Sequence, residues 1–110
     1  MIKHIVMWKV RGEAASERAS SVALVRREFE SLRGRIPGLS SLEIGVDTSC
    51  SQHACDVVLV SEFETQAALD AYGSHPEHLR VQRQLAGVRT ERHHVDYVAG
   101  TPAQRVEARG

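Results

Sequence analysis

The segment Ala71-Tyr72-Gly73-Ser74-His75-Pro76-Glu77-His78 gathers one phenol and two imidazoles beside a glycine and a proline. Imidazole ordinarily titrates at about 6.5, so it can give and take protons near neutrality. A tyrosine one or two helical turns away can donate a hydrogen bond to a carbonyl or an enolate oxygen. Proton transfer is the chemistry open to these types at this spacing. The same residues also serve as helix punctuation, since a polar residue before a proline commonly starts a helix. His75 is read as such a cap rather than as a reactant.

A second cluster, Cys50, His53 and Cys55, places three soft ligands on one polar loop. Thiolate and imidazole suit zinc or copper, but a structural zinc site takes four ligands. His93 and His94 cannot both complete it, because adjacent strand residues point to opposite faces. The trio is read as loop composition, and no metal is expected. A Gly-rich phosphate loop, a Ser-His-Asp set and a haem motif are all missing from the sequence, so no cofactor is expected either.

The elements that must position Tyr72 and His78 are legible from periodicity. A first strand covers about Ile2 to Lys9, with Ile2, His4, Val6 and Trp8 on one face and Lys3, Ile5, Met7 and Lys9 on the other. Both faces are apolar in the middle, so both are expected to be buried. A helix follows with Ser16 as its cap and a stripe of Ala15, Ala19, Val22, Val25, Phe29, Leu32 and Ile36. Gly34 and Ile36-Pro37-Gly38 end it.

A second strand runs from about Leu39 to Asp47 and a third from Asp56 to Phe63, valine-rich on both faces. Thr65 caps a short helix reaching Tyr72. His75-Pro76 opens another, with Leu79, Val81 or Gln82, and Leu85 facing inward. A last strand, about Arg89 to Val98, sets Val95 and Tyr97 on one face. Residues 99–110 are nearly devoid of large apolar side chains and are read as a flexible tail after a single domain, 1–98.

At 110 residues, 42% of them apolar, the chain holds one modest core. Fourteen basic residues balance fourteen acidic ones, so no net field draws it to nucleic acid or to an anionic membrane. No segment reads as a secretory signal or a membrane span, and two cysteines suit a reducing compartment, so the expected location is the cytoplasm.

The order βαββαβ predicts a ferredoxin-like α+β fold, a four-stranded antiparallel sheet with its helices on one face. The first and third strands are nevertheless apolar on both faces, and the chain has no spare element to cover the second. Another copy of the same chain is the economical cover, so a homodimer is expected.

Taken together, the pieces resemble the stress-responsive A/B barrel (Dabb) family of dimeric α/β barrels. The resemblance rests on Ile2-Lys3-His4-Ile5-Val6 with Trp8-Lys9, on Ile36-Pro37-Gly38-Leu39 with Leu42-Glu43-Ile44-Gly45, and on Asp56 to Glu64. It continues through Ala71-Tyr72 with His75-Pro76-Glu77-His78 and ends at Asp96-Tyr97. A branch of the family comprises plant polyketide cyclases, which close a linear polyketide by intramolecular aldol condensation without cofactor or metal. The resemblance implies His78 as the essential histidine, Tyr72 as the pocket tyrosine and His4 as the first-strand histidine. It also places a pocket between sheet and helices, on the face of His4, Val6 and Trp8. The first helix is more Ala-rich than in those cyclases and carries one aromatic, so a pocket for a long polyketide tail is not implied.

The expected catalytic set is His78 as base, Tyr72 as donor and Asp96 as the carboxylate orienting the far nitrogen of His78. His4, Val6 and Trp8 are expected to line the substrate site. A buried strand histidine such as His4 can equally be a satisfied core residue. Trp8 and Tyr97 read as core or interface anchors. The leading function is binding of a small, hydrophobic, carbonyl-bearing molecule with cofactor-independent acid/base chemistry of the cyclase or isomerase type. The alternatives are a non-catalytic stress-associated homodimer with structural histidines, and a cofactor-independent, monooxygenase-like barrel protein.

Overall fold

A computed structural model describes residues 1–100 of the chain. The elements are β1 (Ile2–Val10), α1 (Ala15–Glu30), β2 (Leu39–Val46), β3 (Val57–Phe63), α2 (Gln66–Gly73), α3 (Pro76–Gln84) and β4 (Arg89–Val98). All strand pairs are antiparallel, in the order β2-β3-β1-β4. This is the ferredoxin-like βαββαβ arrangement, with its second helical segment broken into α2 and α3. Most of the expected tail, residues 101–110, lies outside the described residues. Among the described residues no helix is long and apolar enough to cross a membrane.

The period of two in the strands decides what is buried. His4, Val6, Trp8 and Val10 of β1 are buried, as are Val57, Leu59, Ser61 and Phe63 of β3. Val25 and Phe29 of α1 meet them, joined by Leu69 and Tyr72 of α2 and Val81 of α3. Phe29 stacks on Trp8, with ring centroids 5.0 Å apart and planes at 19°. Each such side chain contributes about 1.5–3 kcal/mol through its removal from water.

The opposite face of the sheet is open. Met7, Val95 and Tyr97 are 38%, 50% and 39% exposed, and Ile5, Val58 and Val60 are only half-buried. The expectation that both faces are buried therefore holds within one chain only for the helix side. Tyr97 belongs to this open face, since it pairs with Lys3 across β1–β4.

Three local readings are corrected. The N-cap of α1 is Ala14 rather than Ser16, and Glu17 Oε1 accepts the Ala14 N–H at 3.1 Å, so a carboxylate three residues on does the capping. Ala15 and Ala19 are exposed. This end of the helix is held by polar contacts instead, Ser21 Oγ donating to Arg11 O and Arg18 Nη1 to Glu13 O. Leu79 is 39% exposed. It lies two residues from buried Val81, about 200° around the helix, which turns it outward. His78 and Leu85 fall three before and four after Val81 and share its inward face.

The α2 and α3 starts agree with the sequence. Thr65 Oγ1 accepts the Ala68 N–H at 3.1 Å, and His75 Nδ1 accepts the Glu77 N–H at 3.0 Å, as the cap in front of Pro76. Gly38 packs the start of β2 against α2 with φ +79°. A Cβ there would lie 2.5 Å from the Ala68 Cβ.

Candidate active site

Antiparallel pairing of β1 with β4 sets His4 opposite Asp96, Val6 opposite His94 and Trp8 opposite Arg92, all on the helix side. Asp96 Oδ1 lies 2.5 Å from His4 Nδ1. A carboxylate only accepts, so Nδ1 carries the proton and Nε2 is the remaining nitrogen. Ser61 Oγ donates to the His4 carbonyl at 3.0 Å and ties this residue to β3.

Above the sheet, Tyr72 ends α2 and His78 begins α3, and the Gly73–His75 break folds one ring onto the other. Their centroids are 4.3 Å apart, and Tyr72 also meets His4 edge-on at 6.3 Å. His78 Nδ1 faces Gly73 O at 3.1 Å. That carbonyl only accepts, so Nδ1–H is the donor and Nε2 is the basic nitrogen. Burial holds the His78 pKa below its ordinary value; the Gly73 hydrogen bond opposes this, while Arg89, His4 and Arg92 add to it. His78 is thus a neutral base at neutral pH. Burial drives the Tyr72 phenol far above its ordinary range, so it stays a proton-bearing donor.

These side chains enclose a chamber of about 120 Å³. His4, Val6 and Trp8 form its floor, and Tyr72 and His78 belong to its helical wall. The sequence-predicted residues are brought together with one exception. Asp96 was expected on His78, but β-sheet register places it on His4 instead, and the Gly73 carbonyl orients His78.

Arg89 and Arg92 also line the chamber and were missed in the sequence; Gln82, read as an alternative to Val81 on the inward face, lines it too. Strand alternation would have put Arg92 on the same face as His94 and Asp96, but not Arg89. A β-bulge between Lys9 and Val10 pairs Lys9 with Glu91 and Val10 with Arg89, leaving Thr90 extra. The bulge turns Arg89 to the face of Arg92. Its guanidinium lies over the Trp8 and Phe29 rings, 5.2 Å and 5.8 Å from their centroids.

The loop trio does not assemble as a ligand set. Both cysteines are free thiols, and the ligand atoms that converge are those of Cys55, Glu91 and His93, within 4.8 Å of one another. His93 Nε2 is paired with Glu91 Oε2 at 2.7 Å. Burial first, then the Glu91 charge, pushes the Cys55 thiol pKa up, away from the thiolate a metal needs. His93 pairs with Met7, which puts this cluster on the open face, away from the chamber.

The stress-responsive A/B barrel domain matches residues 2–99, nearly the whole chain. The chain belongs to that family. No curated protein matches it. A dimeric ferredoxin-like protein of unknown function from Bacteroides fragilis superposes with a TM-score of 0.76 at 28% identity, over 87% of this chain and 93% of that one. The hydroxynitrile lyase of Passiflora edulis superposes at 0.75 with 12% identity, over 92% and 94% of the two chains. An antibiotic biosynthesis monooxygenase gives 0.66 with 22% identity, over 90% and 98%. The last two likenesses concern the fold alone.

Proposed function

We propose that this A/B barrel protein binds a small carbonyl compound in the chamber between sheet and helices and carries out cofactor-independent acid/base chemistry on it. The observation that carries this reading is the Tyr72–His78 contact, with ring centroids 4.3 Å apart and planes tilted at 46°, one ring a neutral base and the other a proton-bearing donor. His78 Nε2 takes a proton from a carbon next to one or two carbonyls. The C–H electron pair moves into the carbonyl, whose oxygen becomes an enolate and accepts from the Tyr72 hydroxyl. Return of that proton to another carbon isomerises the compound; attack of the enolate carbon on a second carbonyl closes a ring, the C=O pair moving to its oxygen, which takes the proton back from the His78 imidazolium.

Chamber size points to small substrates. Sites for drug-sized ligands run to about 300–1,000 Å³, against about 120 Å³ here, so a long polyketide is a poor fit. The working unit is a homodimer in the cytoplasm. The open face carries Met7, Val95 and Tyr97, and the relative from Bacteroides fragilis is itself dimeric.

The test is deuterium uptake at the central carbon of 2,4-pentanedione, followed by NMR above the buffer rate. Acceleration that His78→Gln abolishes, and that Tyr72→Phe lowers by about ten- to a hundredfold, supports the reading. No acceleration by the unaltered protein for any small diketone, ketoacid or ketoester favours the alternative, a homodimer with structural histidines.

A further inference from the structure

The chamber holds more positive charge than its acid/base pair requires. Arg89 is more than half removed from water, which pushes its pKa down, and Arg92 pushes the same way. Among the described residues Arg89 has no carboxylate or hydrogen-bond partner, only the Trp8 and Phe29 rings. Arg92, exposed on the edge strand, meets His94 Nδ1 at 2.9 Å and has no carboxylate partner among the described residues. Asp96, the β4 acid on the same sheet face, is taken by His4. A half-buried cation such as Arg89 is ordinarily paired.

A donor stands beside them without a partner. Trp8 Nε1 is buried and unbonded, alone among the buried side-chain polar atoms of the described residues. Trp8, Gln82, Arg89 and Arg92 line both the chamber and a neighbouring groove of about 290 Å³, so they stand where the two adjoin. A planar anion accepting from a guanidinium fork and an indole N–H suits that set.

We propose that the compound taken by this chamber carries a carboxylate, seated by Arg89, Arg92 and Trp8, with its carbonyl presented to Tyr72 and His78. The ligand class is then a small oxoacid. This rests on the acid/base reading of the same site and narrows it. Both arginines line the same chamber as Tyr72 and His78, so the anion seat and the reacting pair are neighbours. An anion there opposes the two cations and favours the imidazolium, so it raises the His78 pKa where a neutral ligand does not.

The experiment uses fluorescence of Trp8, the single tryptophan, to titrate full-length protein with acetoacetate, methyl acetoacetate and acetate, alongside NMR titration of His78. The expected result is acetoacetate binding at least tenfold more tightly than its methyl ester and than acetate, and a rise in the His78 pKa with acetoacetate but not with the methyl ester. Arg89→Gln and Arg92→Gln should each remove most of that preference, and Arg89→Lys should restore part of it. Circular dichroism identifies a variant that fails to fold, and the ligand comparison on unaltered protein stands without it. Equal binding of acid and ester, with the pentanedione exchange intact, overturns the anion seat and leaves the acid/base reading standing. Acetate binding as tightly as acetoacetate overturns the oxoacid assignment in favour of a general anion site. No binding of any ligand, with no exchange activity, overturns both.

Discussion

The Asp96 carboxylate sits 2.5 Å from Nδ1 of His4, joining the edge strand β4 to the central strand β1 across 92 residues of sequence. His4 is nearly covered and Asp96 about one-third exposed. Asp96→Ala leaves the His4 N–H without its acceptor, and we expect a loss of about 1–2 kcal/mol in urea denaturation. Asp96→Asn, whose amide oxygen can still accept, should recover most of it.

His78 gives the protein a specific pH dependence. Its native pKa lies below the ordinary 6.5 because of burial, while in the unfolded chain it takes its proton at about 6.5. As pH falls from neutrality, the unfolded state binds the proton first, so stability declines through that range. The decline stops once pH passes below the native value. Urea midpoints between about pH 5 and 7.5 should follow this slope, and His78→Gln should flatten it. The exchange activity should likewise persist below the ordinary histidine pKa, falling only where the native His78 resonances titrate.

The open sheet face yields a test of assembly. Val95 is half exposed and lies beside Ile5 across the pairing. Val95→Asp puts a charge into an apolar sheet-to-sheet contact. Light scattering should report a mass near 12.2 kDa for the variant, and twice that for the unaltered protein. Equal masses would rule out this face as the dimer contact.

Gly38 tests the turn that brings β2 under α2. Its φ of +79° is disfavoured for other residues, and an added methyl would meet Ala68 at 2.5 Å. Gly38→Ala should cost about 1–3 kcal/mol by thermal or urea denaturation. Gly34→Ala, with φ +74° but open space around it, should cost less, since it carries only the backbone strain.

The sequence by itself determined the element order, which residues of β1 share a face, and the caps at Thr65 and His75, because these depend on period and local hydrogen bonding. It also placed Tyr72 and His78 together, since only a short break separates them. Where contacts cross the sheet, local pattern was silent. The choice between His4 and His78 as partner of Asp96 depended on how β4 registers against β1. The shared face of Arg89 and Arg92 depended on one extra residue, Thr90, in a bulge. A shift of one residue in a strand pairing turns every following side chain to the other face, so these two relationships, on which the electrostatics of the chamber rest, were decided only when the strands met.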